Sequence, residues 1–173
     1  MRQILSPLGI ALLILATGVF SQVQKSDVLK SILEIKPLIS TRADVERRFG
    51  APMSDNTDIA EYRLPEGRIL VEYSPGTCSE SVKSDYDARS GTVVELSFFI
   101  LRDIDFGKTS IDVRGWEQQK APDVFPSSVL YSNFVEGVEV EVGRGKLTWV
   151  HLFPGEPGER VTCRRKASGR PHI

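Results

Sequence analysis

Residues 92–101 carry the strongest strand signal in this chain. The apolar side chains of this segment all fall on one side of an extended backbone: Val94, Leu96, Phe98 and Ile100. Glu95 and Ser97 fall on the other side, because successive residues of a strand point to opposite faces of a sheet. The pattern predicts a strand in the middle of a sheet.

A hairpin is predicted ahead of this strand. Residues 59–64 and 68–73 are short runs rich in β-forming residues, and a Pro-Glu-Gly sequence typical of a turn separates them. Alternation along the second run predicts that its odd-numbered residues face the core, namely Ile69, Val71 and Tyr73.

Three later segments also have strand patterns, near residues 129–134, 138–142 and 146–153. Residues 102–126 are predicted mostly as loop, because Gly115 and Pro122 interrupt any regular pattern. With residues 92–101 and the hairpin, the chain is predicted to contain about six strands.

Two helices are predicted before the first strand. Residues 26–33 place apolar side chains at the spacing of one helical face. For residues 42–49, Thr41 is a competent N-cap, Asp44 lies in the first turn and Gly50 follows the last turn.

These elements predict an α+β fold in which two short N-terminal helices pack on an antiparallel sheet of about six strands. Tyr62 and Cys78, with a Glu-Gly turn between them, are similar in arrangement to Tyr131 and Cys163. This similarity suggests a duplicated helix-plus-hairpin unit.

The N-terminal residues 1–21 predict a secretory signal peptide. Arg2 precedes an uncharged apolar run over residues 8–20, which is shorter than the ~20 residues that a membrane-spanning helix needs. Small residues fit cleavage after Ser21, or an earlier cut after Val19, and an uncleaved anchor is the alternative. We therefore expect an exported protein, periplasmic or secreted, with no stable membrane span in its mature form.

The rest of the chain is long enough for one domain. Residues 22–153 are predicted to form it, and residues 154–173 are predicted to be a C-terminal tail held at Cys163. Cys78 and Cys163 are the only cysteines, and thiols of exported chains tend to pair, so one disulfide is predicted. A redox or metal-binding pair is the alternative, although zinc would need about four ligands.

Composition and side-chain chemistry argue against several functional classes. The chain has 22 lysines and arginines against 23 acidic residues, so we expect no nucleic-acid partner. Nucleophilic catalysis needs a base within reach, and the only histidines are His151 in a predicted strand and His172 in the predicted tail. We expect no catalytic residues, no cofactor-binding residues and no metal site, and therefore no enzyme.

Residues 146–153 carry apolar groups on both sides of the predicted strand. On one side, Leu147 is followed by Trp149, His151 and Phe153. The other side carries Thr148, Val150 and Leu152. Either helices cover one of these sides, which is the expectation, or an aromatic stripe stays open for a partner. Trp149, His151 and Phe153 are therefore the candidate partner-binding residues.

Residues 41–52 read Thr-Arg-Ala-Asp-Val-Glu-Arg-Arg-Phe-Gly-Ala-Pro. This capped helix, which ends in Gly-x-Pro and precedes paired strands, resembles the SmpA/OmlA (BamE-like) family of small envelope proteins. The resemblance implies an α+β unit of two helices on a three-stranded sheet that binds other envelope proteins without catalysis. The β-lactamase inhibitor proteins look like tandem copies of a similar unit, which would accommodate six strands.

Together, these features lead us to expect an exported, non-catalytic protein-binding module of the bacterial cell envelope. The alternative is a secreted or periplasmic inhibitor that docks onto an extracytoplasmic enzyme through an aromatic loop or sheet surface. Neither function requires a cofactor, and both require a protein partner.

Overall fold

The computed structural model of this 173-residue chain describes residues 25–81, 85–120, 127–156 and 162–163. The predicted signal peptide, residues 1–21, lies outside the described residues, as does most of the predicted C-terminal tail. Within the described ranges, no helix is long and apolar enough to cross a membrane.

Two α-helices precede the strands: α1 (Lys25–Leu33) and α2 (Arg42–Phe49). The eight strands are, in chain order, β1 (Ser54–Asp55), β2 (Ile59–Leu64), β3 (Gly67–Tyr73), β4 (Val93–Asp105), β5 (Glu117–Lys120), β6 (Ser128–Asn133), β7 (Val138–Gly143) and β8 (Lys146–Leu152). They form one sheet in the order β1-β2-β3-β4-β8-β7-β6-β5, and every neighbouring pair is antiparallel.

The predicted α+β fold class is wrong in its architecture. In place of six strands packed with two helices, a single eight-stranded sheet dominates the described residues. The two unpredicted strands, β1 and β5, lie at the edges and are exposed throughout, so no alternation marks them in the sequence. β5 lies within the stretch predicted as loop, and it forms through backbone pairing with β6.

The continuous sheet also contradicts the suggested duplication. Two copies of a helix-plus-hairpin unit would divide the strands into two similar sets, each with its own helices. Instead, both α1 and α2 precede β1, and β4 joins directly to β8 within one sheet. The Glu-Gly turns that suggested a repeat are common wherever two strands connect.

Helix α2 begins as the sequence predicts. The Thr41 backbone N–H donates to Asp44 Oδ2 at 2.9 Å, and the Asp44 N–H donates to Thr41 Oγ1 at 3.4 Å. This reciprocal capping satisfies two backbone donors that a helix start leaves unpaired. The hydrogen bonds from Thr41, with help from Arg47, lower the pKa of Asp44 to about 2.

The core lies between the two helices and one side of the sheet, called here the inner face. Leu29 and Ile32 of α1 and Val45 of α2 belong to one buried cluster with the inner-face side chains of five strands, β2, β3, β4, β7 and β8. The predicted core positions of β3 are confirmed, since Ile69, Val71 and Tyr73 are all buried in this cluster. The helices therefore cover only the inner face.

Cys78 and Cys163 form the predicted disulfide, with an S–S distance of 2.05 Å. Backbone contacts accompany it, because the Cys163 N–H donates to the Asp85 carbonyl oxygen at 2.8 Å and Tyr86 forms an isolated β-bridge with Thr162. The link therefore attaches the end of the described chain to the segment between β3 and β4.

Candidate functional site

The candidate partner-binding residues lie on the side of the sheet opposite the core, called here the outer face. An extra residue in β8 explains their position: Trp149 pairs with Glu141 of β7 and Leu147 pairs with Val142, so Thr148 forms a β-bulge. The bulge shifts the alternation by one residue. Leu147 therefore joins the buried core, whereas Trp149 points to the other side.

This arrangement corrects the prediction made for the last strand. The sequence pattern predicted that Leu147 and Trp149 lie on the same side of the strand. It also predicted that helices cover one of the two sides. The helices do cover a side, but it is the side of Leu147, Val150 and Leu152. Trp149, His151 and Phe153 remain part-buried on the outer face and do not belong to the core cluster.

Four ring side chains of the outer face form a continuous series, called here the ring ladder: Trp149, His151, Phe153 and Phe134. The centroids of the Trp149 and His151 rings are 5.0 Å apart and their planes are 24° from parallel. Successive centroids then lie 5.4 Å apart from His151 to Phe153 and 6.0 Å from Phe153 to Phe134. Phe134 is 43% exposed, so the ladder ends in solvent at the β6–β7 turn.

A glycine in that turn holds the far end of the ladder. The Phe153 N–H donates to the Gly137 carbonyl oxygen at 2.9 Å, and a Cβ at Gly137 would lie 2.0 Å from the Phe153 carbonyl oxygen. Gly137 also has a φ of 69°, which other residues adopt only with strain. The position of Phe153 thus depends on a residue without a side chain.

Two rows of cross-strand partners surround the ladder. The row through His151 carries mainly polar side chains: Leu70, Ser97, His151, Glu139, Ser132 and Glu117. The row through Trp149 carries Arg68, Phe99, Trp149, Glu141, Leu130 and Gln119. Aromatic rings of β4 and β8 therefore lie beside two carboxylates of β7, Glu139 and Glu141.

His151 lies between two carboxylates. Its Nε2 is 3.5 Å from Glu95 Oε2, and its Nδ1 is 3.5 Å from Glu139 Oε2, while the Ser132 hydroxyl donates to Glu139 Oε1 at 2.8 Å. Interaction with His151 lowers the pKa of Glu95 despite the opposing effect of burial. The imidazole thus links β4 and β7 from its position on β8.

Glu72 faces Glu95 across the β3–β4 pair. Partial burial raises the pKa of Glu72, and the neighbouring Glu95 carboxylate raises it further. Like charges directly opposite on neighbouring strands are destabilising. This end of the outer face therefore holds negative charge at a cost to the folded state.

Two buried polar atoms of the Trp149 row have no hydrogen-bond partner among the described residues. They are the indole Nε1 of Trp149 and Oε1 of Glu141, which belong to cross-strand partners. One is a donor and the other an acceptor. Because unpaired buried polar groups are rare and costly, a bound molecule that offers both an acceptor and a donor would complete this pair once the two side chains turn towards it.

The outer face also places Ser97, His151 and Glu139 in one row, which are the residue types of a nucleophilic triad. In a triad, the histidine accepts a hydrogen bond from the nucleophile. Here, His151 Nε2 faces Glu95, and no hydrogen bond joins Ser97 to His151 in the described structure. The backbone N–H groups around Ser97 are engaged in pairing with β3 and β8, which leaves no donors for an oxyanion.

Metal binding is a second chemistry that histidine and carboxylates can support. Among the described residues, no group of three or more histidine, cysteine or acidic side chains is arranged to hold a metal ion. The arrangement around His151 is an imidazole between two carboxylates on the sheet surface, with an aromatic ring stacked on it.

Several outer-face residues were not identified from the sequence. Glu95 was predicted only as part of the polar side of its strand, and no sequence pattern singles out Glu139, Phe99 or Glu72. Their importance follows from the strand order β3-β4-β8-β7, which brings carboxylates of β3, β4 and β7 close to His151 of β8. No local pattern encodes that order.

No family model matches the chain, and no curated protein or solved structure matches it either. The resemblance of residues 41–52 to the SmpA/OmlA family therefore stays a prediction.

Proposed function

We propose that this protein is an exported, non-catalytic protein-binding module of the bacterial cell envelope, and that its outer face is the binding surface. The observation that carries the proposal is the unpaired Trp149 Nε1 and Glu141 Oε1 beside the ring ladder. A partner that covers the ladder would bury its rings and complete these hydrogen bonds. Tryptophan in such a position is the residue type that most often dominates interface energetics.

The shape of the surface favours a protein over a small molecule. The ladder extends along β8 to the exposed Phe134 and Val135, so apolar groups are spread over a sheet surface and are not gathered in a cavity. Small molecules usually bind in concave pockets, whereas exposed apolar groups with a polar surround are typical of protein interfaces. The disulfide supports an extracytoplasmic setting, because such bonds persist in oxidising compartments.

Site-specific crosslinking in intact cells tests the proposal. A photoreactive residue placed at Leu130, in the Trp149 row, should crosslink to a protein partner. The same residue at Ile39, which is 78% exposed in the segment between α1 and α2, should not capture that partner. Comparison of the two sites separates a partner that binds the outer face from an abundant protein that crosslinks at any exposed position.

The captured protein is then purified and its affinity is measured. Trp149→Ala should weaken binding by about thirtyfold or more, the effect of losing an interface hot spot. Ile39→Ala, which also removes an exposed apolar side chain, should leave the affinity unchanged. Equal affinities of the Trp149→Ala and unchanged proteins would contradict the proposal.

Two other outcomes would reassign the function. If the captured partner is a secreted or periplasmic enzyme whose activity falls on binding, the protein is an inhibitor of that enzyme. If the purified protein itself turns over a hydrolase substrate and loses this activity in both Ser97→Ala and His151→Ala, the row through His151 is catalytic and the proposed function is wrong.

A further inference from the structure

We propose that the partner protein places an arginine side chain between Glu72 and Glu95, beside the ring ladder, and that this guanidinium is the charged centre of the interface. The inference rests on the proposed protein-binding function and adds the chemistry of the partner. It follows from the register of β3 and β4, the charges of the outer face and the contacts that arginine already makes in this fold.

Glu72 and Glu95 form an unfavourable pair of carboxylates. Glu72 and Glu95 are register partners, and both reach solvent, with the Glu95 side chain 40% exposed. The side chain that contacts Glu95 in the described structure is His151, whose other ring nitrogen faces Glu139. One imidazole is thus shared by two carboxylates, which leaves Glu72 facing negative charge.

The surface around the two carboxylates carries negative charge. The row through His151 contains Glu117 and Glu139 and has no lysine or arginine. Arg68, in the neighbouring row, lies 3.9 Å from Glu61 and over the Phe99 ring, so its guanidinium already has partners. Complementary charge on a partner would therefore be positive.

Arginine fits this position better than lysine. A guanidinium presents five donors in a planar fork, which can serve two carboxylates at once and stack on an aromatic ring. This fold already contains a guanidinium that combines one carboxylate with an aromatic ring: the Arg42 guanidinium lies 4.1 Å from the centre of the Tyr73 ring and pairs with Asp55. A guanidinium between Glu72 and Glu95 would have the ring ladder beside it in the same way.

The test uses isotope-labelled protein and two short peptides. One peptide has a single arginine between glycines, and the other has the uncharged isostere citrulline in its place. The readouts are the side-chain carboxyl NMR signals of Glu72 and Glu95 and the indole N–H signal of Trp149. The arginine peptide should move all three signals, and the citrulline peptide should bind at least about tenfold more weakly.

Charge-removing variants locate the site. Glu72→Gln and Glu95→Gln should each weaken the arginine peptide about tenfold. Glu117→Gln is the matched control, because Glu117 is an exposed glutamate of the same face on the edge strand β5. Equal weakening in Glu117→Gln and Glu72→Gln would show general charge attraction and overturn the proposal, as would equal binding of the two peptides.

The chain's own C-terminal residues are the rival occupant, because residues 164–166 are Arg-Arg-Lys. Deletion of residues 164–173 should leave the carboxyl signals and the affinity for the arginine peptide unchanged. If the deletion itself moves the Glu72 and Glu95 signals, and arginine binds only afterwards, the site belongs to this segment and not to a partner.

Failure of this inference is distinguishable from failure of the proposed function. A partner that loses affinity for Trp149→Ala but binds Glu72→Gln and Glu95→Gln normally would leave protein binding intact and overturn the arginine site. A crosslinked partner that is indifferent to Trp149→Ala would overturn the proposed function itself.

Discussion

Trp149 and Val150 are consecutive residues of β8 that face opposite sides of the sheet. Val150 is fully buried in the core cluster, whereas Trp149 stacks on His151 on the outer face. The same strand therefore contributes to folding through one set of side chains and to the candidate binding surface through the other. This separation makes stability and binding measurable as independent quantities.

Substitutions on the two sides of β8 should have different effects on stability. Leu152→Ala should lower the free energy of unfolding by about 3 kcal/mol, because Leu152 is 2% exposed and its loss leaves a cavity. Leu147→Ala should behave similarly, since the bulge at Thr148 turns Leu147 into the core. Trp149→Ala should cost less than half as much. Urea denaturation of the three variants checks this, and a larger loss in Trp149→Ala would place Trp149 in the core.

Glu72→Gln should stabilise the protein by about 0.5 kcal/mol at neutral pH, because it removes a like-charge pair across β3 and β4. The folded-state pKa of Glu72 is raised above 4.5, so the penalty is present above that pKa and disappears as the pH falls below 4.5. The gain should therefore be seen at pH 7 and vanish near pH 3. Denaturation at both pH values measures it, with Glu117→Gln as the neutral comparison.

His151→Gln should raise the pKa of Glu95 towards its ordinary value, because the interaction with His151 is what lowers it. A lowered pKa contributes stability above the unfolded value of 4.5 and loses it as the pH falls through the folded value, so the variant should lose part of that contribution. The pKa of Glu72 should rise further. Carboxyl NMR titration tests both, and the pKa of Asp44, about 2 in the distant capping box, should not change.

Loss of the disulfide should lower stability substantially. The bond between Cys78 and Cys163 spans 85 residues. Chain entropy assigns a loop of this length about 4.6 kcal/mol of stabilisation. Denaturation with and without a reductant, together with a Cys78→Ser and Cys163→Ser double variant, measures this effect. Thiol labelling of the unreduced, denatured protein should detect no free cysteine; two reactive thiols would contradict the pairing.

Local patterns predicted the elements of this fold better than their assembly. The capping residues Thr41 and Asp44 specify α2, because this signal depends on near neighbours in sequence. Alternation specifies β3 and the Leu96 and Phe98 positions of β4. At the start of β4 it is wrong, because a bulge makes Val93, and not the predicted Val94, the buried residue. The edge strands β1 and β5 were not predicted, because only backbone pairing with a neighbouring strand forms them. The count of strands and the architecture were wrong for that reason.

The candidate site shows the same division. Alternation drew attention to Trp149, His151 and Phe153, although the bulge at Thr148 removed Leu147 from their side. The carboxylates around His151 come from β4 and β7, and their meeting depends on strand order and register. Register is a property of the whole sheet, so it could not be read from any one segment.

The disulfide also affects how the molecule responds to a protease. Strands β4 to β8 all lie between Cys78 and Cys163, so a single cut in any loop within that interval leaves two fragments joined by a covalent bond. Such a nicked molecule would keep all of its strands together and migrate as one species until a reductant separates the pieces.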